Sequence, residues 1–242
     1  MIGVLGLAAC GRGPRVQTVP EPAVLLARAR HDFHHGRFPK ALLQLQRLTF
    51  ELGPGRPEIA EARFYLAETY FQTGDRVQAA HEFRRVADDF PESAWAPLAL
   101  LRAGDANLRL WRRAELDPSY GEAALAIYQE MVGRYPGTDA AARAGLHVRR
   151  LKEQFAEKAY RNGMFYLRRR AYDSAIIYFK DVIASYPETS RVPAALLRLV
   201  ESYRAIGYTE ELRETCAHLQ RFYPQTSGLA QTCPADGPGG AP

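Results

Sequence analysis

The stretch AAHEFRRVADDFP at residues 79–91 returns in outline three more times, as ALAIYQEMVGRYP at 124–136, AIIYFKDVIASYP at 175–187 and LRETCAHLQRFYP at 212–224. Each copy begins with alanine or leucine, carries an aromatic residue or cysteine four positions later, and ends in an aromatic–proline pair. Positions four apart lie on one face of an α-helix, and proline stops a helix. Each copy is therefore predicted to be a helix that packs through this face.

Another helix is predicted before each of these four, so that each copy is the second helix of a hairpin. Small or aromatic residues recur at its packing positions, and turn glycines stand five residues before the residue that begins the packing face of the following helix. The packing positions are Ala67 with Tyr70, Gly163 with Tyr166, and Tyr203; the glycines are Gly36, Gly74 and Gly207. A weaker first copy uses Ala29, Gly36, Ala41, Leu45 and Leu48. This spacing is typical of the tetratricopeptide repeat. The chain is therefore predicted to be all-α, a tetratricopeptide-repeat superhelix of five helical hairpins.

The predicted repeats have unequal lengths. They cover about 23–54, 58–91, 94–136, 138–187 and 191–224. The terminal prolines of the last four are 45, 51 and 37 residues apart, against about 34 in the standard repeat. We therefore expect extra helical length in the third repeat, as a longer helix and a loop around 110–120. In the fourth, residues 138–154 extend its first helix or precede it as an extra one.

Composition and charge favour an ordered binding protein over a nucleic-acid reader. The 242 residues are 47% hydrophobic, and the net charge of +5 arises from basic and acidic residues spread along the whole chain. Nucleic-acid binding needs basic residues concentrated on one face, so no nucleic-acid partner is expected. The run Arg168–Arg170 is the densest basic segment. It is read as a solvated helix end, or alternatively as a surface for an acidic partner or anionic lipid.

The N-terminus is predicted to carry a lipid anchor. Residues 1–9 look like the end of an export signal whose true start lies upstream, and Leu7-Ala8-Ala9-Cys10 resembles the lipobox of bacterial lipoproteins. Residues 10–22 are then a lipidated cysteine and a flexible tether. The alternative is an incidental cysteine in a disordered start. No transmembrane helix is expected, and residues 225–242 are predicted to be a disordered tail.

Two further cysteines, Cys216 and Cys233, would meet an oxidising compartment in an exported chain, where they can pair. Cys216 occupies a repeat position that is normally buried and apolar. The favoured interpretation is therefore an inert thiol in the core, with a disulfide as the alternative.

Catalytic and metal-binding motifs are missing from the sequence. His31 and His35 are one helical turn apart beside His34, but no cysteine or carboxylate cluster completes a metal site. His81-Glu82 lacks the second histidine of a zinc-protease motif, and there is no nucleotide-binding loop or nucleophile elbow. The protein is therefore predicted not to be an enzyme and to need no cofactor or metal.

Function is then expected in the concave groove, which the first helix of each tetratricopeptide hairpin lines. Aromatic anchors mixed with charges suit an extended peptide. For Phe64 and Phe71, burial in the core between repeats is an equal alternative. The candidate groove residues are Arg30, Phe33, His34, Phe64, Glu68 and Phe71.

Together, the lipobox, the tether and the order of the repeats resemble the BamD family of lipoproteins. Leu116-Asp117-Pro118 leading to Tyr135-Pro136, and the run from Phe165 to Tyr172 ending at Tyr186-Pro187, look like that family's third and fourth repeats. The resemblance implies a scaffold anchored by lipid in the outer membrane and facing the periplasm. It further implies that the C-terminal repeats bind the periplasmic domains of a BamA-like partner, and that the N-terminal repeats receive unfolded outer-membrane proteins.

One position departs from the family pattern. Many members carry, in the second helix of the fourth repeat, an arginine that docks on the partner, and this chain has Tyr178 there. Either the partner interface is then altered, or the nearby run Arg168-Arg169-Arg170 supplies the charge. The departure keeps open an alternative function, a repeat lipoprotein that coordinates other envelope machinery of the Tol-Pal type.

Overall fold

The computed structural model describes residues 21–53, 55–111 and 117–233. Every regular element in these ranges is a helix, which confirms the predicted all-α class. Ten long helices follow one another, and each packs on the next. They are α1 (Pro22–His34), α2 (Phe38–Glu51), α3 (Glu58–Thr73), α4 (Arg76–Asp89), α5 (Ala96–Leu110), α6 (Ser119–Arg134), α7 (Asp139–Arg168), α8 (Tyr172–Ser185), α9 (Val192–Ile206) and α10 (Thr209–Phe222). A short α11 (Leu229–Thr232) follows.

The repeat markers form the packing face that the sequence predicts. The alanines that begin the faces of α4, α6 and α8 are completely buried, and so are the aromatic residues one turn later, Phe83, Tyr128 and Phe179. The core divides into three clusters that succeed one another along the chain. A stack of hairpins has this organisation because each repeat buries apolar surface mainly against its neighbours.

Odd-numbered helices lie on the inner side of the stack. Besides its neighbours in sequence, α1 packs on α3, α3 on α5, α5 on α7, and α7 on α9. The pairs of alternate helices with substantial contact in the described chain are all of this kind. Because the odd-numbered helices lie closer together than the even-numbered ones, they line the concave face.

Left-handed residues follow α1, α7 and α9 on the inner side. Gly36 and Gly207 have φ of 70° and 78°, which glycine adopts without strain. At the same place in the fourth repeat stands Arg170, with φ of 60°. Its N–H donates to the Leu167 carbonyl at 2.9 Å, and the next N–H reaches the Tyr166 carbonyl at 3.1 Å. These two bonds form a Schellman motif, whose left-handed position usually holds glycine.

The extra length is distributed differently from the prediction in one repeat. In the fourth, α7 is one continuous helix of 30 residues, so the insert extends the first helix. In the third, α5 has 15 residues, the same as α9, and is not lengthened. Most of the added residues lie instead between α5 and α6, where 112–116 are outside the described residues. A proline at position 118 keeps α6 from starting earlier.

The C-terminal segment corrects two expectations. Cys216 and Cys233 form a disulfide with a Cα–Cα distance of 5.6 Å, so the favoured inert thiol was wrong. Residues 225–233 are folded, although a disordered tail was predicted from 225. Cys233 is only 4% exposed, and its carbonyl accepts a hydrogen bond from Gln220 at 3.3 Å. The physical reason is that the disulfide and this buried contact hold a short, weakly helical segment that would not fold by itself. Residues 234–242 lie outside the described part.

Candidate functional site

The first group of predicted groove residues surrounds Tyr65, a residue that the sequence did not single out. Arg30 forms an ion pair with Glu61 at 2.9 Å, and its guanidinium carbon lies 5.8 Å from the Tyr65 ring centre. Phe33 and His34 both pack edge-on against that ring, with centroids 5.5 and 5.8 Å away. The structure therefore brings these three predicted residues of α1 together on α3.

Phe64, a candidate for the groove or for the core between repeats, does not line the groove. Its side chain is 5% exposed, and its ring centre lies 4.8 Å from Trp95 and 5.7 Å from Phe83. Its side chain points between the repeats because helical periodicity places it on the same face of α3 as the small residues of the core. The core alternative is therefore correct for Phe64, while Phe71 stays half-buried on the inner side.

Glu68 and Phe71 belong to a polar cluster centred on Arg102. The Arg102 guanidinium donates to Glu68 at 2.9 Å and to Asp105 at 3.0 Å, and its carbon lies 4.1 Å from the Phe71 ring centre. The Tyr128 hydroxyl donates to Asp105 at 2.7 Å. Three helices, α3, α5 and α6, are thus joined by one hydrogen-bonded network.

Two pKa values reflect this network. Burial disfavours the charged form of Arg102, but its hydrogen bonds and charge pairing with Glu68 and Asp105 outweigh that effect and raise its pKa. Burial, followed by the charge and hydrogen bond of Asp105, raises the pKa of Tyr128. Both shifts favour the same two forms at neutral pH, with Arg102 as a cation and Tyr128 as a neutral donor.

A cavity of about 490 Å³ opens beside this cluster on the concave side. Arg109 and Arg150 stand exposed at its rim, on α5 and α7. His147 forms part of the wall and stacks on Tyr128, with ring centres 4.7 Å apart. The lining residues are Phe71, Arg102, Asp105, Leu108, Arg109, His147, Arg150, Leu151 and Gln154.

The sequence reasoning missed the contribution of α5 and α7 to this cavity, although a signal existed. Glu68 and Arg102 are separated by 34 positions, which is the standard repeat length. Moving the Glu68 groove position forward by one repeat would have identified Arg102.

The second predicted group lies at the junction of α7 and α8. Tyr178 is half-buried and stacks on Tyr166, with ring centres 5.4 Å apart and planes 10° apart. Phe165 meets Tyr166 edge-on at 5.3 Å, and the Arg169 guanidinium lies over Phe165 at 3.5 Å. Arg168 is exposed at the end of α7. Tyr178, Tyr166 and Phe165 thus form a continuous row of ring contacts, the aromatic ladder, which connects Tyr178 to Arg169. This group is far along the chain from the α1–α3 group.

The remaining predictions concern the N-terminal cysteine, metal binding and membrane crossing. Cys10 and the rest of residues 1–20 lie outside the described residues. In the part that the structure describes, no three His, Cys, Asp or Glu side chains are grouped so that they could hold a metal ion. Among the described helices, none combines the length and apolar character needed to cross a bilayer.

Comparison with known proteins gives a family match over most of the chain. The YfiO family, described as "Outer membrane lipoprotein", matches residues 20–219. The outer membrane protein assembly factor BamD of Caulobacter vibrioides is 39% identical over 108 residues, covering 45% of this chain and 35% of that protein. BamD of Vibrio cholerae is 31% identical over 103 residues, covering 43% of each chain. The matched stretch thus spans less than half the length of these relatives.

Solved structures include similar repeat proteins. A thermophilic tetratricopeptide protein of Thermus thermophilus is 21% identical, with a TM-score of 0.39, and the match covers 87% of this chain and 95% of that one.

Proposed function

Since this chain belongs to the YfiO/BamD family of outer membrane lipoproteins, we propose that it is a non-catalytic scaffold for assembling β-barrel proteins into the outer membrane. The observation that carries the proposal is the concave face, where aromatic and charged side chains from α3, α5 and α7 surround one cavity. In this proposal the inner groove receives unfolded barrel segments. The C-terminal repeats bind the periplasmic domains of a BamA-like partner.

The groove suits an extended peptide because it offers two kinds of contact side by side. Phe71 presents an apolar ring, and Arg109 and Arg150 present cationic groups at the rim of the same cavity. Arg102 is already paired with the carboxylates of Glu68 and Asp105, so it stabilises the wall of the cavity. It is therefore less available to bind a peptide than the two arginines at the rim. An unfolded barrel strand alternates apolar and polar side chains, and such a segment can use both contacts at once.

The group at the end of α7 suits a folded partner. Arg168 and Arg169 are exposed cations, Arg169 lies over Phe165, and Tyr178 stacks on Tyr166 in the adjoining aromatic ladder. Rigid aromatic side chains with arginine make effective anchors in protein interfaces. In this proposal the BamA-like partner binds at this ladder, and Tyr178 supports the contact surface.

Partner binding is tested with the purified full chain carrying Cys10→Ser and the periplasmic region of the BamA-like protein from the same organism. We expect binding, and we expect Arg168→Glu with Arg169→Glu to weaken it at least about tenfold by reversing the charge of the surface. Arg28→Glu, an exposed change on α1, is the matched control. Absence of binding at tens of micromolar would contradict the assembly role.

Substrate binding is tested with a fluorescent peptide from the C-terminal strand of an outer-membrane barrel protein. Arg109→Glu with Arg150→Glu should lower its affinity several-fold, and Arg221→Glu on α10 should not. Equal affinity for all three proteins would exclude the cavity as the peptide site.

Lipid attachment at Cys10 is the third part of the proposal. Labelled palmitate should enter the protein in cells, and Cys10→Ala should abolish the label. Incorporation that survives the substitution would remove the lipid anchor from the proposal.

A further inference from the structure

The outer face of α2 exposes two large apolar side chains. Leu43 is 71% exposed and Phe50 is 90% exposed, while the core-facing residues of the same helix are almost completely buried. Seven residues make about two helical turns, so the two side chains lie one above the other on the face opposite the core. Neither is needed to hold the hairpin together.

The corresponding positions of the other even-numbered helices show that the repeat does not require this apolar pair. Counted from the residue that begins each packing face, the counterparts of Leu43 and Phe50 are His81 with Asp88, Ala126 with Gly133, Ile177 with Ala184, and Glu214 with Arg221. Of the even-numbered helices described from α2 to α10, α2 has large apolar residues at both positions. A single exposed apolar residue needs no explanation, but an aligned pair indicates a contact surface.

Basic residues accompany the pair. Lys40 and Arg47 each stand three positions before an apolar residue, so the order Lys40, Leu43, Arg47, Phe50 follows one strip of the helix surface. Arg47 also bonds Glu51 at 2.7 Å, in an exposed pair that water and salt weaken. A helix face that combines apolar and basic side chains is typical of contact with a bilayer surface.

The place of α2 in the chain favours the membrane as its partner. Ten residues, 11–20, separate Cys10 from the first described residue, and a chain of that length spans at most about 35 Å. The family is one of outer membrane lipoproteins. An anchor at Cys10 would therefore keep the first hairpin closer to the bilayer than any later one.

We propose that the strip formed by Lys40, Leu43, Arg47 and Phe50 rests in the headgroup region of the bilayer and orients the repeat array beneath it. Two apolar side chains bind a membrane only weakly by themselves. Attachment through Cys10 makes the contact intramolecular, so a weak interaction is sufficient. The inference depends on the N-terminal anchor and is independent of the assembly role.

Photocrosslinking identifies what touches this strip. Position 50 of the full-length, membrane-attached chain is replaced by p-benzoylphenylalanine, and position 177 is replaced in a matched control. Both sites are highly exposed, at 90% and 67%, so neither change should disturb folding. After irradiation of cells and of vesicles of phosphatidylethanolamine and phosphatidylglycerol, mass spectrometry should find a phospholipid adduct at position 50 and none at 177.

Other adducts would overturn the proposal. A crosslink from position 50 to a second copy of the chain or to another protein would assign the strip to that partner, and equal lipid adducts at both positions would show non-specific proximity. Lys40→Glu with Arg47→Glu should reduce the lipid adduct, most strongly in vesicles rich in the anionic lipid. Leu43→Gln with Phe50→Gln should leave binding of the BamA-like partner in solution unchanged, which separates this strip from the assembly interface.

Discussion

The ring of Phe179 lies directly over Gly163, so a Cβ atom on that glycine would be 2.5 Å from the phenylalanine Cε1. Gly104 has the same relationship with Tyr128, also with a 2.5 Å approach to Cε1. In both repeats the aromatic residue of the second helix occupies the space that a missing side chain leaves in the first helix. The close approach of the two helices depends on this fit.

Gly163→Ala should destabilise the protein. Overpacking costs about 1–3 kcal/mol, and alanine recovers up to about 1 kcal/mol of helix propensity, so we expect a net loss of about 1–2 kcal/mol. Urea unfolding measures the loss. Gly145→Ala in the same helix is the control, because the Cβ there meets only the flexible end of Arg149 at 3.9 Å. A Gly163→Ala protein as stable as the control would show that the helices can separate without cost.

Arg170→Gly should stabilise the protein by about 1 kcal/mol, because glycine adopts the left-handed conformation at φ 60° without the steric cost that other residues bear. The change is checked by thermal and urea unfolding. Arg169→Gly, one position earlier at φ −91°, should give no such gain. If both variants are equally stable, the left-handed position is not strained.

Cys233→Ser should loosen the C-terminal repeat. The disulfide closes a loop across 17 positions, and cross-links of that span contribute about 3 kcal/mol. Hydrogen exchange should rise in α10 and α11 and stay unchanged in α1 to α4, and reduction of the unsubstituted chain should have the same effect. Cys10→Ser is the control. Uniform exchange along the chain would indicate that the disulfide does not hold this segment.

Asp32 should titrate below its ordinary pKa of 3.8, because its carboxylate accepts hydrogen bonds first from Arg37 and then from Gln44. A lowered folded-state pKa means that this contribution to stability is complete above pH 3.8 and is lost as the pH falls through the folded value. NMR titration of the carboxyl carbon gives the midpoint directly. Arg37→Gln should move the midpoint upward, and a midpoint that does not move would assign the shift to another cause.

Local spacing was sufficient to predict the repeat. The burial of residues such as Ala79 and Phe83 can be predicted from the sequence because helical periodicity places them on one face. The terminal proline marks where the helix ends. Gly36 and Gly207, predicted as turn glycines, have the positive φ that such turns require. These features depend on contacts within one hairpin or between neighbouring hairpins, and such contacts have a fixed spacing in the sequence.

The site could be predicted only in part. The groove offsets selected Glu68 and Phe71, which both contact Arg102, but they also selected Phe64, which occupies the core, since a small rotation of a helix decides which neighbouring position faces inward. The sequence favoured an inert thiol at Cys216 over its pairing with Cys233, because the pairing depends on how the last segment folds back.

The sequence by itself determined the helical class, the repeat and its small-to-aromatic packing rule, because these arise from short-range periodicity. Only the tertiary structure decided that Glu68, Arg102 and Tyr128 would meet in one network through Asp105. The physical reason is that the groove is shaped by how successive hairpins rotate against each other. That rotation depends on many packing contacts together, and no single feature of the sequence predicts it.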